Sequence, residues 1–221
     1  MAAIYLLRHG QASFGGADYD VLSDVGRQQS VVLGAELRRR RVDVRAVWSG
    51  TLRRQLETAT ACLAEAGVDL PVHQDKRWDE YDHLGLVPSG QAEPGADLAA
   101  AARVFQRLLD DAIGAWIEQG HPVGTSGTWP AFSGGAREAL DEVFADLPKG
   151  GAALVFTSAG VISAICALLL DLPASGYLAV NRTMANAGIT KVVSGRSGVS
   201  LVSVNEHGHF EGDHGHLRTY R

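Results

Sequence analysis

Cysteine is scarce in this chain: two residues in 221, Cys62 and Cys166, each inside an alanine- and leucine-rich helical pattern. That excludes a disulfide framework and predicts reduced, buried thiols. Basic residues are also short, 20 against 25 acidic ones, and a net charge of −5 with a pI near 5.9 argues against a nucleic-acid surface. Long apolar runs are missing. The first, residues 3–7, follows no basic segment and breaks at Arg8, and the run at 161–172 is too short to span a bilayer. The expectation is a cytoplasmic protein with no membrane or nucleic-acid partner. Hydrophobic residues at 46% and charged ones at 20% are ordinary globular values, sufficient for one large domain or a domain with an insertion.

What the chain does have is chemistry at the ends of short apolar runs. Residues 3–7 are long enough for one buried strand and stop at Arg8-His9-Gly10. At the carboxyl end of a central strand, where ligands collect in an open α/β sheet, an Arg beside a His is well placed, and Gly10 would turn the backbone there with φ > 0. Arg offers a permanently charged planar fork, and an imidazole kept neutral by nearby positive charge can attack phosphorus. The plainer alternative is a strand end whose polar residues face water.

Other segments repeat the strand, small turn, helix pattern. Residues 44–48 run into Ser49-Gly50 and a helix over 52–66 that Gly67 terminates. Arg53 and Arg54 in its first turns oppose the helix dipole unless they face an anion. Residues 152–157 form another buried run, and Ser158-Ala159-Gly160 leads into a helix over 161–172 whose first amides could bind an oxyanion. A short strand over 72–76 precedes an acidic and aromatic stretch from Arg77 to His83, where a carboxylic acid could protonate a leaving oxygen.

The remaining segments read as framework. Residues 12–21 form a loop at the mouth of the site, Ser23 caps a helix, and Val31, Val32, Gly34, Ala35 and Leu37 give it an apolar stripe. Arg38 to Arg41 are a solvated last turn favoured by the helix dipole. Between 85 and 135 the character changes: a helix over 98–119, a turn-rich stretch over 121–135, then a helix over 136–145. This region is expected to cap the site and select substrate through Trp129 and Phe132, two aromatics equally able to anchor it to the core. The last strands fall at 186–193 and 200–204, joined across 195–198. The tail 206–216 holds four of the eight histidines, but without an evident rigid scaffold it is assigned no metal.

Arg8-His9-Gly10-Gln11, Leu22-Ser23-x-x-Gly26-x-x-Gln29, Leu52-x-Arg54-x-x-x-Thr58-Ala59 and Glu80, in that order and spacing, resemble the histidine phosphatase superfamily, also called phosphoglycerate mutase-like. Residues 152–172 and Asn186-Ala187-Gly188-Ile189-Thr190 match its later part, and the middle departs from it. The resemblance implies an α/β three-layer sandwich: a mostly parallel central sheet, helices on both faces, and one domain over 1–221 with a cap inserted at 85–135. It also implies hydrolysis of small phosphate monoesters in two steps. His9 attacks phosphorus, Arg8 and Arg54 clamp the phosphoryl oxygens, Gln11 and Ser158 also bind the phosphate, and Glu80 protonates the leaving alcohol. Ser13 and Phe14 would approach the substrate. No metal or organic cofactor is required, because guanidinium groups and helix amides neutralise the transferring group.

One departure bears on the chemistry. Where the family usually carries a second histidine, this chain has Ser158, a hydrogen-bonding group with no positive charge. Three readings follow: a slow enzyme, an enzyme in which His83, His207 or His209 fills the corner, or a module that binds phosphorylated ligands without turnover. A phosphoglycerate mutase fits less well, since it must retain and reorient a bisphosphate with a weakened grip.

Overall fold

In the computed structural model, which describes residues 1–13, 20–86, 98–121 and 127–220, the strand Ala2–Arg8 (β1) lies inside the sheet because both its faces are apolar. Ile4 and Leu6 turn to one side, Tyr5 and Leu7 to the other. Ala152–Thr157 (β4) runs parallel to it and Ile189–Gly195 (β5) antiparallel. With Val44–Ser49 (β2), Val72–Gln74 (β3) and Gly198–Glu206 (β6), the order is β3-β2-β4-β1-β5-β6. Four parallel strands therefore deliver their carboxyl ends to one edge of the sheet.

Asp24–Arg39 (α1) and Arg53–Ala66 (α2) cover the face of Tyr5, Leu7, Val47, Leu154 and Phe156 with Leu33, Leu37, Ala59 and Cys62. Trp129–Asp146 (α5) and Ala159–Leu170 (α6) cover the other face with Ala136, Leu140, Val161, Ile162 and Ile165. This is the three-layer α/β architecture expected. Leu98–Gln119 (α4) and Ala174–Thr183 (α7) pack farther out, where Leu109, Ile113, Trp116 and Tyr177 meet Tyr81 and Ala164. A short helix, His83–Leu86 (α3), precedes them.

Several boundaries differ from the sequence reading. α5 begins at Trp129, well before residue 136, because the Thr128 side chain accepts from the Ala131 N–H at 3.3 Å and a proline sits in the first turn. β3 stops at Gln74, since Asp75 caps a 3-10 turn over Lys76–Trp78. α7 has no counterpart in the sequence reading; its buried residues, Ala174, Tyr177 and Asn181, make a stripe too polar to stand out. The hairpin joins at Gly195 and Gly198 as expected, but residues 186–188 precede the strand. The tail is scaffolded after all: Phe210 and Leu217, in 3-10 turns Gly208–Phe210 and Gly212–Leu217, are buried on the α1 side of the sheet. Trp129 and Phe132 join an aromatic cluster with Trp116, Tyr81 and Tyr177, so they tie α5 to α4 and α7.

Candidate active site

His9 is the first residue beyond β1 and is held from both neighbouring segments. Its N–H donates to the Thr157 carbonyl at 2.9 Å, and its carbonyl accepts from the Ala187 N–H at 3.2 Å and the Asn186 amide at 3.3 Å. The residue is 6% exposed. Nδ1 stands 2.7 Å from the Gly10 carbonyl, which can only accept, so Nδ1 carries the proton and Nε2 keeps its lone pair. Arg54 Nε donates to that Nε2 at 3.2 Å. The imidazole and one guanidinium predicted to share a phosphoryl group are thus in direct contact.

Thr58 explains part of the α2 motif. Its hydroxyl donates to the Arg54 carbonyl at 2.7 Å and accepts from the Gly10 N–H at 3.0 Å, tying the loop after β1 to the helix that carries Arg54. Gly10 does not adopt the positive φ expected of it. It must be glycine for space: a Cβ there would lie 2.4 Å from the Gly26 carbonyl oxygen, and one on Gly26 would lie 2.1 Å from the Gln11 carbonyl oxygen. The loop is pressed onto the first turn of α1. Ser23 fixes that contact, capping the Gly26 N–H at 3.1 Å and donating to Gln11 Oε1 at 2.9 Å. Gln11 thereby joins the loop to α1 through its side chain, and Ser13 is half-buried with its N–H on the Val21 carbonyl at 2.8 Å.

The other parallel strand ends supply the remaining groups. Arg8, the last residue of β1 itself, is buried, with NH1 donating to the Met184 carbonyl. After β3, Glu80 Oε2 accepts from the Gly160 N–H at 3.1 Å and Oε1 from the Tyr81 N–H at 3.2 Å, which seats the carboxylate at the start of α6. Arg8 pairs with Thr157 in the parallel register, so His9 and Ser158 are the next residues of two adjacent segments, tied by the His9 N–H on the Thr157 carbonyl. Ser158 is fully buried, and its hydroxyl oxygen accepts from Gln55 Nε2 at 2.8 Å.

Of the candidate substitute histidines, His207 and His209 contact groups other than Ser158. His209 meets the Ala187 carbonyl at 3.0 Å and lines a cavity of about 650 Å³ with Glu36, Arg39, Arg40, Glu206 and Gly208, at the C-terminal end of α1. Burial pushes its pKa down to about 4. His207 bonds the Asn205 carbonyl at 2.6 Å and lies edge-on to Tyr220. Phe14 and the side chain of His83 lie outside the described residues. Among the described residues, no group of three His, Cys, Asp or Glu is placed to hold a metal ion.

Two residues of the site escaped the sequence reading. Gln55 is on the buried stripe of α2, at helical spacing from Thr58, Ala59 and Cys62, and that periodicity was the available signal. Asp20 had no such signal. It accepts from the Arg53 N–H at 2.9 Å and from Arg54 NH1 at 2.6 Å, so the anion facing the α2 N-terminus in this structure is the protein's own carboxylate.

Fold and site together describe an α/β protein with a buried histidine and arginines gathered where its parallel strands end. The profile of the histidine phosphatase superfamily (branch 1) matches residues 4–207, and the chain belongs to that superfamily. Among solved structures it is similar to mycobacterial glucosyl-3-phosphoglycerate phosphatase, at 26% identity and TM-score 0.65, over 92% of this chain and 98% of that one. A phosphoserine phosphatase mutant of Entamoeba histolytica shares the fold at 20% identity and TM-score 0.68, over 95% and 99% of the two chains. A phosphoglycerate mutase of Bacillus anthracis does so at 20% identity and TM-score 0.64, over 94% of each. A search of curated proteins found no match.

Proposed function

We propose that this protein is a phosphatase that hydrolyses small phosphate monoesters through a phosphohistidine on His9. The observation that carries the reading is the 3.2 Å contact of Arg54 Nε with the lone-pair nitrogen of a buried His9. Phosphoryl transfer needs positioning and charge stabilisation more than covalent assistance. In the proposed mechanism the substrate phosphoryl group displaces the Asp20 carboxylate from Arg54, lies between Arg8 and Arg54, and presents phosphorus to Nε2. Attack forms the N–P bond as the ester P–O bond breaks, and Glu80 gives its proton to the departing alkoxide. The same carboxylate then takes a proton from water, which attacks the phosphohistidine and releases inorganic phosphate. The Gly10 carbonyl, bonded to Nδ1–H at 2.7 Å, stabilises the proton that stays on the ring while Nε2 is phosphorylated. The similarity to a mycobacterial phosphatase supports the reaction class. Two buried cysteines without a disulfide fit a cytoplasmic setting.

The test is turnover of p-nitrophenyl phosphate and several sugar phosphates by the wild-type protein and by His9→Ala. The expected result is release of phosphate that falls by at least a thousandfold in the variant, with acid-labile ³²P on the wild-type protein after a rapid quench. Phosphate binding without turnover would instead identify a ligand-binding module, the reading that the uncharged Ser158 corner favours.

A further inference from the structure

We infer that Gln55 is a positioning residue whose side-chain amide fixes the Ser158 hydroxyl as a neutral donor to the phosphoryl group. This rests on the reading of His9 as the phosphoryl acceptor. Gln55 is fully buried, and its amide is fully engaged. Nε2 donates to the Trp78 carbonyl at 3.0 Å and to Ser158 Oγ at 2.8 Å, and Oε1 accepts from the Leu52 N–H at 3.3 Å. Both amide protons are spent on the protein, so Gln55 has none to give a ligand.

The direction of the Gln55–Ser158 bond is fixed, because an amide nitrogen only donates. Ser158 Oγ is therefore the acceptor, and its own proton must go elsewhere. The Trp78 carbonyl already takes two donors, Gln55 Nε2 and Thr157 Oγ1 at 2.6 Å. His9 Nε2 takes Arg54, and the Phe156 carbonyl takes the Gly50 N–H. His9 and Ser158 directly follow the last register pair, Arg8 and Thr157, and the His9 N–H donates to the Thr157 carbonyl, so a phosphoryl group on that ring is the acceptor the hydroxyl proton meets.

The amide also occupies the corner physically. A Cβ on Gly50 would fall 2.0 Å from Gln55 Oε1, and the strap behind it is closed by Thr51, which gives its N–H and hydroxyl to the Asp79 carboxylate at 2.5 and 2.7 Å. Neither Gln55 nor Ser158 titrates in the working pH range. The site thus replaces a charged histidine by a relay of oriented dipoles.

The test is a double-mutant cycle on p-nitrophenyl phosphate with Ser158→Ala, Gln55→Leu and both together, beside Gln55→Glu. Each single change is expected to lower kcat about tenfold or more with little effect on KM, and the double variant to be no slower than Ser158→Ala. In Gln55→Glu the introduced carboxylate turns the hydroxyl proton inward. Its activity should recover as pH falls and the carboxyl becomes a donor again, an acid limb absent from the wild type. Ser158→His alone should be slower than wild type, and Ser158→His with Gln55→Ala faster than Ser158→His, because the amide fills the space a ring needs.

Wild-type kcat in a folded Gln55→Leu, or losses that multiply in the double variant, would overturn the proposal. If Gln55→Leu fails to fold, the pH profile of Gln55→Glu decides: the acid limb supports the relay, and a wild-type profile refutes it. If the wild-type protein shows no turnover, the phosphatase reading fails on its own. The four proteins are then titrated with inorganic phosphate, where equal, non-multiplying losses of affinity support the relay and independent ones refute it.

Discussion

Thr58 and Asp20 set what Arg54 can do. Thr58→Val removes the acceptor of the Gly10 N–H and the donor to the Arg54 carbonyl, both buried. The expected cost is about 1–3 kcal/mol, read as a lower urea midpoint at unchanged slope. In the proposed mechanism Asp20 competes with phosphate for a guanidinium it already holds at 2.6 Å. Asp20→Asn should therefore tighten product inhibition by inorganic phosphate by about two- to fivefold, the size of a partly exposed ion pair. An unchanged inhibition constant would mean that Asp20 and phosphate occupy Arg54 together.

Helices α1 and α2 work as a pair, since α1 presses on the loop that holds His9 while α2 carries Arg54. Their approach is set by Gly34, where a Cβ would stand 2.4 Å from the Cys62 carbonyl oxygen. Gly34→Ala should force the helices apart at a cost of about 1–3 kcal/mol, seen in the urea midpoint, because backbone on the facing helix cannot yield like a side chain. The basic run that ends α1 is a charge network: Glu36 accepts from Arg39 and Arg40, and Arg40 reaches Glu206 at 2.6 Å. The hydrogen bond from Arg39, joined by that from Arg40, holds the Glu36 carboxyl at about 2. At this scale the sequence was most readable. Caps and terminators such as Ser23, Thr128 and Gly67 act within a few residues of themselves, whereas α7 packs its buried residues against partners distant in sequence.

For the whole molecule, acid stability should be governed by His209 before the carboxylates. Its folded pKa, about 4, lies below the ordinary 6.5, so the folded state resists the proton that the unfolded chain accepts. The stability this contributes is present above 6.5 and is lost as pH falls toward 4, up to about 3 kcal/mol in all. Glu36, held low, loses its contribution only below its ordinary 4.5. Urea midpoints at pH 7.5, 5.5 and 4.5 should fall in the wild type and fall less in His209→Asn; parallel curves would exclude His209 as the cause. Cys62 and Cys166 are buried with their thiols pushed up, Cys166 to about 12. Both should react with a thiol reagent only at the rate of global unfolding.

By itself the sequence determined most of the elements and named the candidate reactive groups. Apolar runs that break at Arg8, Ser49 and Thr157 specify buried strands, and the polar residues just past them have nowhere to sit but the strand ends. The ordered motifs made His9, Arg54 and Glu80 nameable because each lies a fixed few residues from such an end. Tertiary structure alone decided which groups touch. Gln55 reaches Ser158 across 103 residues, and Asp20 reaches Arg54 across 34. It also decided that Gly10 answers to Gly26 and not to a turn. Local propensity extends over a few residues of chain, while these contacts depend on the order in which the sheet brings β2, β4 and β1 together.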